Sequence, residues 1–217
     1  MLHLRQLTYH PPASPRAILR DVSLELAPQQ LGLIYGPSGS GKSTLLEIMA
    51  GFAQPTAGAI QWRQQNLDTE ALRQLAGLVF QFPERHFCGH TLLEELRLGH
   101  PELARDQIQQ ALKSVGLEQL ALTTSPQDLS GGQQRRLALA VQLIRKPYLL
   151  LLDEPTAGLD WSMRRQIIGL LKRLKQQWTL LVVSHDADEL AELADRCWQL
   201  DHGSLSPRPQ ALTSTVG

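Results

Sequence analysis

The sequence predicts an α/β domain with a mixed central sheet, a small antiparallel β subdomain at the N-terminus and an inserted helical subdomain. Three observations carry this expectation. Short apolar runs alternate with longer stretches of helical period. The runs at residues 31–35, 77–80, 148–152 and 179–183 are apolar almost throughout, as central strands covered on both faces are. Between Phe82 and Pro147 the spacing is helical, with Leu92, Leu93 and Leu96 and then Ile108, Leu112 and Val115 along single faces.

Each element follows from its local pattern. Residues 2–7 and 22–26 alternate apolar with polar, the mark of half-exposed strands, and so supply the small antiparallel sheet. One domain over residues 1–203 is expected, with the helical subdomain at about 83–147. Residues 204–217 contain Pro207 and Pro209 and lack apolar periodicity, so they read as a poorly ordered tail. A chain of 217 residues is too short for a tandem repeat of such a domain. Lys and Arg total 21, as do Asp and Glu, which leaves no long-range field to gather nucleic acid or anionic lipid. The two cysteines, Cys88 and Cys197, and an N-terminus without signal-peptide character point to a reducing, cytoplasmic setting. No apolar stretch approaches the roughly 20 residues that cross a bilayer. Any service to a membrane is then performed from its surface.

The segment Gly36-Pro37-Ser38-Gly39-Ser40-Gly41-Lys42-Ser43-Thr44 lies between an apolar strand and an amphipathic helix, which is the setting of a phosphate-binding P-loop. Its glycines permit backbone conformations in which successive N–H groups converge on phosphate oxygens, and the helix N-terminus adds positive potential. Lys42 brings a point charge to the β and γ phosphates, and the Ser43 hydroxyl is placed to ligate Mg²⁺. ATP and Mg²⁺ are the implied ligands. Further along, a buried strand ends in Asp153-Glu154, at the carboxyl edge where open α/β sheets bind ligands. Alternation gives the two acids different tasks: Asp153 for the Mg²⁺ shell, Glu154 for the attacking water as general base.

Ser130-Gly131-Gly132-Gln133, preceded by Leu129 and followed by an amphipathic helix through Leu137, Val141 and Ile144, forms a second backbone-donor site for phosphate. This stretch resembles the signature motif of ABC (ATP-binding cassette) proteins. Gln81 resembles the Q-loop glutamine of that family, residues 157–160 its D-loop with Asp160, and His185 its switch histidine. The resemblance implies a cassette in which the signature faces the ATP held by a second cassette, identical or paralogous. It also implies Gln81 as a metal and water contact, and catalysis by Glu154 with His185. Tyr9 admits two readings, an ordinary strand aromatic or the adenine-stacking residue its position matches in the family.

Residues 79–87, with Phe80-Gln81-Phe82-Pro83-Glu84, resemble cassettes of energy-coupling-factor importers for vitamins and transition metals. Trp161 after the D-loop is similar to non-intrinsic ABC proteins of chloroplasts and cyanobacteria. The resemblance thus implies a cytoplasmic motor, peripheral on the inner face of a membrane, working with separate membrane-embedded subunits. A soluble ABC ATPase in cofactor or metal-cluster assembly is the alternative. A nucleic-acid- or ribosome-directed ATPase would need a long coiled coil or a second cassette, and the sequence has neither. His86, Cys88 and His90 alternate like metal ligands, but the matching region in the family contacts the membrane partner, so a metal sensor and a protein interface both stand.

Overall fold

The computed structural model describes residues 1–12, 14, 16–186 and 188–208. Two sheets organise it. The first, in the order β2-β1-β4-β5, contains β1 (Leu2–Tyr9), β2 (Leu19–Leu26), β4 (Ala57–Trp62) and β5 (Gln65–Asn66), and all its pairings are antiparallel. The second, in the order β10-β9-β3-β8-β7-β6, contains β3 (Leu31–Tyr35), β6 (Ala76–Val79), β7 (Leu149–Asp153), β8 (Thr179–Ser184), β9 (Arg196–Asp201) and β10 (Ser204–Arg208). Its strands run parallel except for β10, so the sheet is mixed as the sequence indicated.

Strand alternation divides the interior into two cores on opposite faces of this sheet. Leu149, Leu151, Leu181 and Val183 pack with α1 (Lys42–Met49) and the antiparallel sheet. Leu150, Leu152, Leu180 and Val182 pack with α5 (Gly131–Ile144) and α6 (Trp161–Leu174). Strands lined by leucine and valine at every position are what two-sided burial requires. The second core continues through α3 (Leu92–Arg97) and α4 (Arg105–Ser114), the helical subdomain inserted between β6 and β7.

Two expectations are corrected. The strand expected at 77–80 is an edge strand, not a central one, yet it is buried along its length. Its cover comes from α1 and α2 (Thr69–Leu75) and from α5, helices that protect an edge as a neighbouring strand would. The expected tail begins with a strand: Ser204 pairs with Asp201 and Arg208 with Cys197. The turn between them has His202 at φ 47° and Gly203 at φ 81°, the two positive values that suit a tight hairpin. Pro207 is tolerated because β10 lies at the edge and need not donate outward. Residues 209–217 of that expected tail lie outside the described residues. Among the described residues no helix is long and apolar enough to cross a membrane.

Candidate functional site: a phosphate cradle facing a catalytic carboxylate

The P-loop leaves β3 at its carboxyl end and enters α1. Gly36 admits no side chain, because a Cβ there would stand 2.0 Å from the Leu200 carbonyl oxygen of β9. Gly41 is the N-cap of α1 with φ 105°, a conformation that a residue with a Cβ rarely adopts. Lys42, the first helical residue, is buried, and its Nζ donates to Gly36 O at 2.8 Å and Pro37 O at 3.1 Å. The ammonium is therefore held inside the loop by the loop's own carbonyls. Ser40 is 5% exposed and its Oγ has no hydrogen-bond partner among the described residues. Pro37, Ser38, Gly39, Ser43 and Thr44 line a cavity of about 1030 Å³ that also receives Gln81, Glu154 and His185.

Register brings the catalytic candidates together. Parallel pairing sets Asp153 of β7 beside Val183 of β8, so Glu154 and His185 emerge from adjacent strand ends. Glu154 turns sharply at φ 49°, its N–H donating to Val183 O at 2.9 Å. The turn aims its carboxylate at three groups: Oε2 lies 2.7 Å from His185 Nδ1 and accepts from Ser184 Oγ at 3.3 Å, and Oε1 is 4.0 Å from Lys42 Nζ. His185 is 58% exposed and lines the same cavity. Burial, helped by the Glu154 charge, pushes the Asp153 carboxyl above its ordinary range, against an opposing Ser43 hydrogen bond and the Lys42 charge. Glu47 on α1 is raised too, by burial and then by Asp153. An oxygen-only pair, the Ser43 hydroxyl against a buried carboxylate, is a donor set suited to a hard divalent cation.

The signature residues lie elsewhere. Ser130 caps α5, its Oγ accepting from Gln133 N at 3.4 Å while Gln133 Oε1 accepts from Ser130 N at 2.9 Å. Gly132 allows α5 to approach α6, since a Cβ would meet Met163 Sδ at 2.9 Å. Gly131 has open space before it. Ser130, Gly132 and Gln133 line a cavity of about 380 Å³, and among the described residues none lines both this cavity and the P-loop cavity. Asp160 caps α6 through a 2.9 Å bond from Met163 N to Oδ1.

Tyr9 ends β1 and packs on the core shared by α1 and the antiparallel sheet. It does not line the P-loop cavity, whose wall there is Arg16, Ala17 and Ile18. Those three, with Arg20 and His202, went unnoticed in the sequence, where they belong to no motif. Arg135 lies in the Gln134-Arg135-Arg136 stretch that follows the signature, where the sequence gives it no role of its own; its guanidinium donates to Pro155 O at 2.8 Å and Gln81 O at 3.4 Å. His86 stacks on Phe80 with centroids 4.5 Å apart, and Glu95 Oε2 accepts from the backbone of Cys88 and Gly89 at 2.8 and 2.7 Å. Helix-start carboxylates thus shape the 86–90 loop, and among the described residues no three His, Cys, Asp or Glu side chains group as metal ligands. Beside this loop, a groove of about 540 Å³ runs between β6, the loop and α5.

Comparison with known proteins agrees with this geometry. Residues 19–157 match the ABC transporter family model. A chloroplastic ABC transporter I family member of Arabidopsis thaliana is 44% identical over 220 residues, covering 94% of this chain and 79% of that protein. An energy-coupling factor transporter ATP-binding protein of Symbiobacterium thermophilum is 40% identical, covering 89% and 72%. Among solved structures, cbiO1 of Clostridium perfringens, part of the ABC transporter complex cbiONQ, superimposes with TM-score 0.85 at 28% identity over 94% of this chain and 86% of that one. A dimeric ATP-binding cassette in a post-hydrolysis state with ADP and Pi superimposes with TM-score 0.82 at 30% identity, covering 97% and 99%. With its P-loop, signature helix and Asp-Glu strand end in the arrangement described, the chain belongs to the ABC transporter ATP-binding family and is an ATPase.

Proposed function

We propose that the chain is the ATP-hydrolysing motor of an importer for a transition metal or a vitamin, docked on separate membrane-embedded subunits and working as half of a cassette dimer. The observation that carries this reading is the separation of two phosphate-donor sites, at Gly36 to Ser43 and at Ser130 to Gly132, into cavities with no lining residue in common among the described residues. A second cassette, identical or paralogous, brings its signature to the ATP held here. The dimeric post-hydrolysis relative supports the pairing, and the energy-coupling factor transporter relatives support the transporter class.

In this reading the P-loop amides and Lys42 hold the β and γ phosphates, and Gly131 and Gly132 supply backbone donors to the partner's ATP. Mg²⁺, which would be held by Ser43, Asp153 and Gln81, neutralises phosphate charge when bound. Glu154 takes a proton from the attacking water as its oxygen bonds to the γ phosphorus and the bond to the ADP oxygen breaks. His185, at 2.7 Å, fixes the direction of the Glu154 carboxylate and faces the γ phosphate with its free nitrogen. Gln81, which lines the same cavity, holds the water with Glu154. The groove lined by Phe80, Phe87, Leu98 and Val141 takes a short helix of the membrane partner, which seats this subunit on the membrane surface.

The test is an affinity capture from solubilised membranes with Glu154→Gln held in ATP. Membrane-embedded proteins should be recovered together with a second cassette. Recovery of soluble proteins alone would favour the cofactor-assembly ATPase and overturn the transporter motor.

A further inference from the structure

Arg135 is 9% exposed, a cation inside the interface between the helical subdomain and the core. It stands one turn into α5, five residues or about 7 Å of helix beyond the Ser130 cap. The two arms of its guanidinium bond two segments distant in sequence: Nη1 donates to Pro155 O at 2.8 Å, and Nη2 to Gln81 O at 3.4 Å. Pro155 follows Glu154 directly, and the Gln81 carbonyl belongs to the residue that reaches the cavity beside it. Glu84, in the turn after Gln81, supplies the opposing charge.

The bonded groups are neutral carbonyls, and a buried charge is costly to place opposite them when a neutral donor could bond either one. What arginine adds is a rigid planar fork, whose two bonds cannot be adjusted separately. The geometry points to Arg135 as a positioning residue that makes the placement of Glu154 and Gln81 depend on the placement of the signature helix. When α5 moves to present Ser130 to the partner's ATP, the same rigid group carries the Gln81 backbone and the chain behind Glu154 with it. Each cassette's base is then set by its own signature helix, and the two composite sites are linked through both subunits. This inference rests on the roles proposed for Glu154 and Gln81.

The test uses the full chain with Mg²⁺ and ATP. Arg135→Met keeps the unbranched stem and helix propensity but removes both donors, and Arg135→Lys keeps the charge at a single point. Arg135→Met should lower kcat at least tenfold while KM and the ATP dissociation constant stay within twofold, with Arg135→Lys between it and the parent. Added to Glu154→Gln, Arg135→Met should lower the residual rate by clearly less than its tenfold effect on the parent, because the base that Arg135 positions is gone and Gln81 alone is left to be misplaced. The inference is overturned if Arg135→Met keeps kcat within twofold. It is equally overturned if kcat and ATP affinity fall in step, or if the tenfold loss recurs in the Glu154→Gln background. Near-normal turnover of Glu154→Gln alone would instead sink the base assignment, so the two failures are read from different variants.

Discussion

Replacing Gly36 by alanine tests whether the phosphate cradle is set by contact with β9. The added Cβ would stand 2.0 Å from Leu200 O, where real contacts stay above 3.0 Å, so a gap of about 1 Å must open. β9 yields little, because Gly32 to Tyr35 of β3 hold it on one side and β10 on the other. The P-loop therefore moves. A displacement of about 1 Å at a reacting centre costs about 10²-fold in rate, and overpacking of this kind costs about 1–3 kcal/mol of stability. Each kcal/mol lowers the melting midpoint of a domain this size by about 2–4 °C. Gly39→Ala, also in the cradle, is the control for stability and not for turnover: its Cβ would meet no described protein atom within 4 Å, and the positive φ of 78° opposes it, at about 1 kcal/mol. Phosphate release, equilibrium ATP binding and thermal melts on both variants decide the matter. Turnover of Gly36→Ala within twofold of the parent, at an unchanged midpoint, would refute the contact argument.

Three further outcomes follow from the site. Glu154→Gln preserves shape but removes the base, so phosphate release should fall by about 10²–10⁴ while ATP binding persists. Asp153 holds its proton more tightly folded than unfolded, so stability of the nucleotide-free protein should fall as pH rises through the window just above the ordinary carboxylate range. In Asp153→Asn that fall should be shallower, with Glu47 contributing the remainder, and Mg²⁺-dependent turnover should vanish; an unchanged pH profile of melting would show that burial does not set this carboxyl. Trp161, 66% exposed beside Asp160 with Arg165 stacked 4.5 Å over its ring, should lose acrylamide quenching when Glu154→Gln binds ATP, and the change should disappear in Trp161→Phe. No change in quenching would count against closure at the D-loop.

What was legible in the sequence divides by the range of the signal. The P-loop and the signature are contiguous, and their chemistry resides in glycines, a lysine and hydroxyls whose spacing alone suggests a backbone shape, so both can be named residue by residue from the sequence. Strands β7 and β8 were equally plain, because two-sided burial leaves a run of leucine and valine. The pairing of Glu154 with His185 was foreseen as chemistry, but its cause, the register of Asp153 against Val183 and a left-handed turn at Glu154, is a tertiary fact. Arg135 stands in the stretch after the signature, but its partners could not be read there because they are carbonyls, which every residue possesses. The strand at Ser204–Arg208 was hidden by serine and proline, though His202-Gly203 before it carried a hairpin signal. Tyr9 matched by position only, and its ring is not part of the cavity wall.

Helix α5 joins these parts mechanically. Its 14 residues span about 21 Å. At one end Ser130 caps the signature, one turn in Arg135 grips Gln81 and Pro155, and beyond that Ala138, Val141 and Ile144 form a wall of the groove proposed for the membrane partner. A helix is stiff along its axis, and its buried leucines, Leu137, Leu139 and Leu143, leave it little freedom to slide without its neighbours. A partner pressing into the groove must therefore shift Ser130 and Arg135 together. If Arg135 acts as argued, occupancy of the groove and readiness of the base are two readings of one helix position. By linkage, a membrane partner that favours that position must also be bound more tightly by the cassette that has closed on ATP.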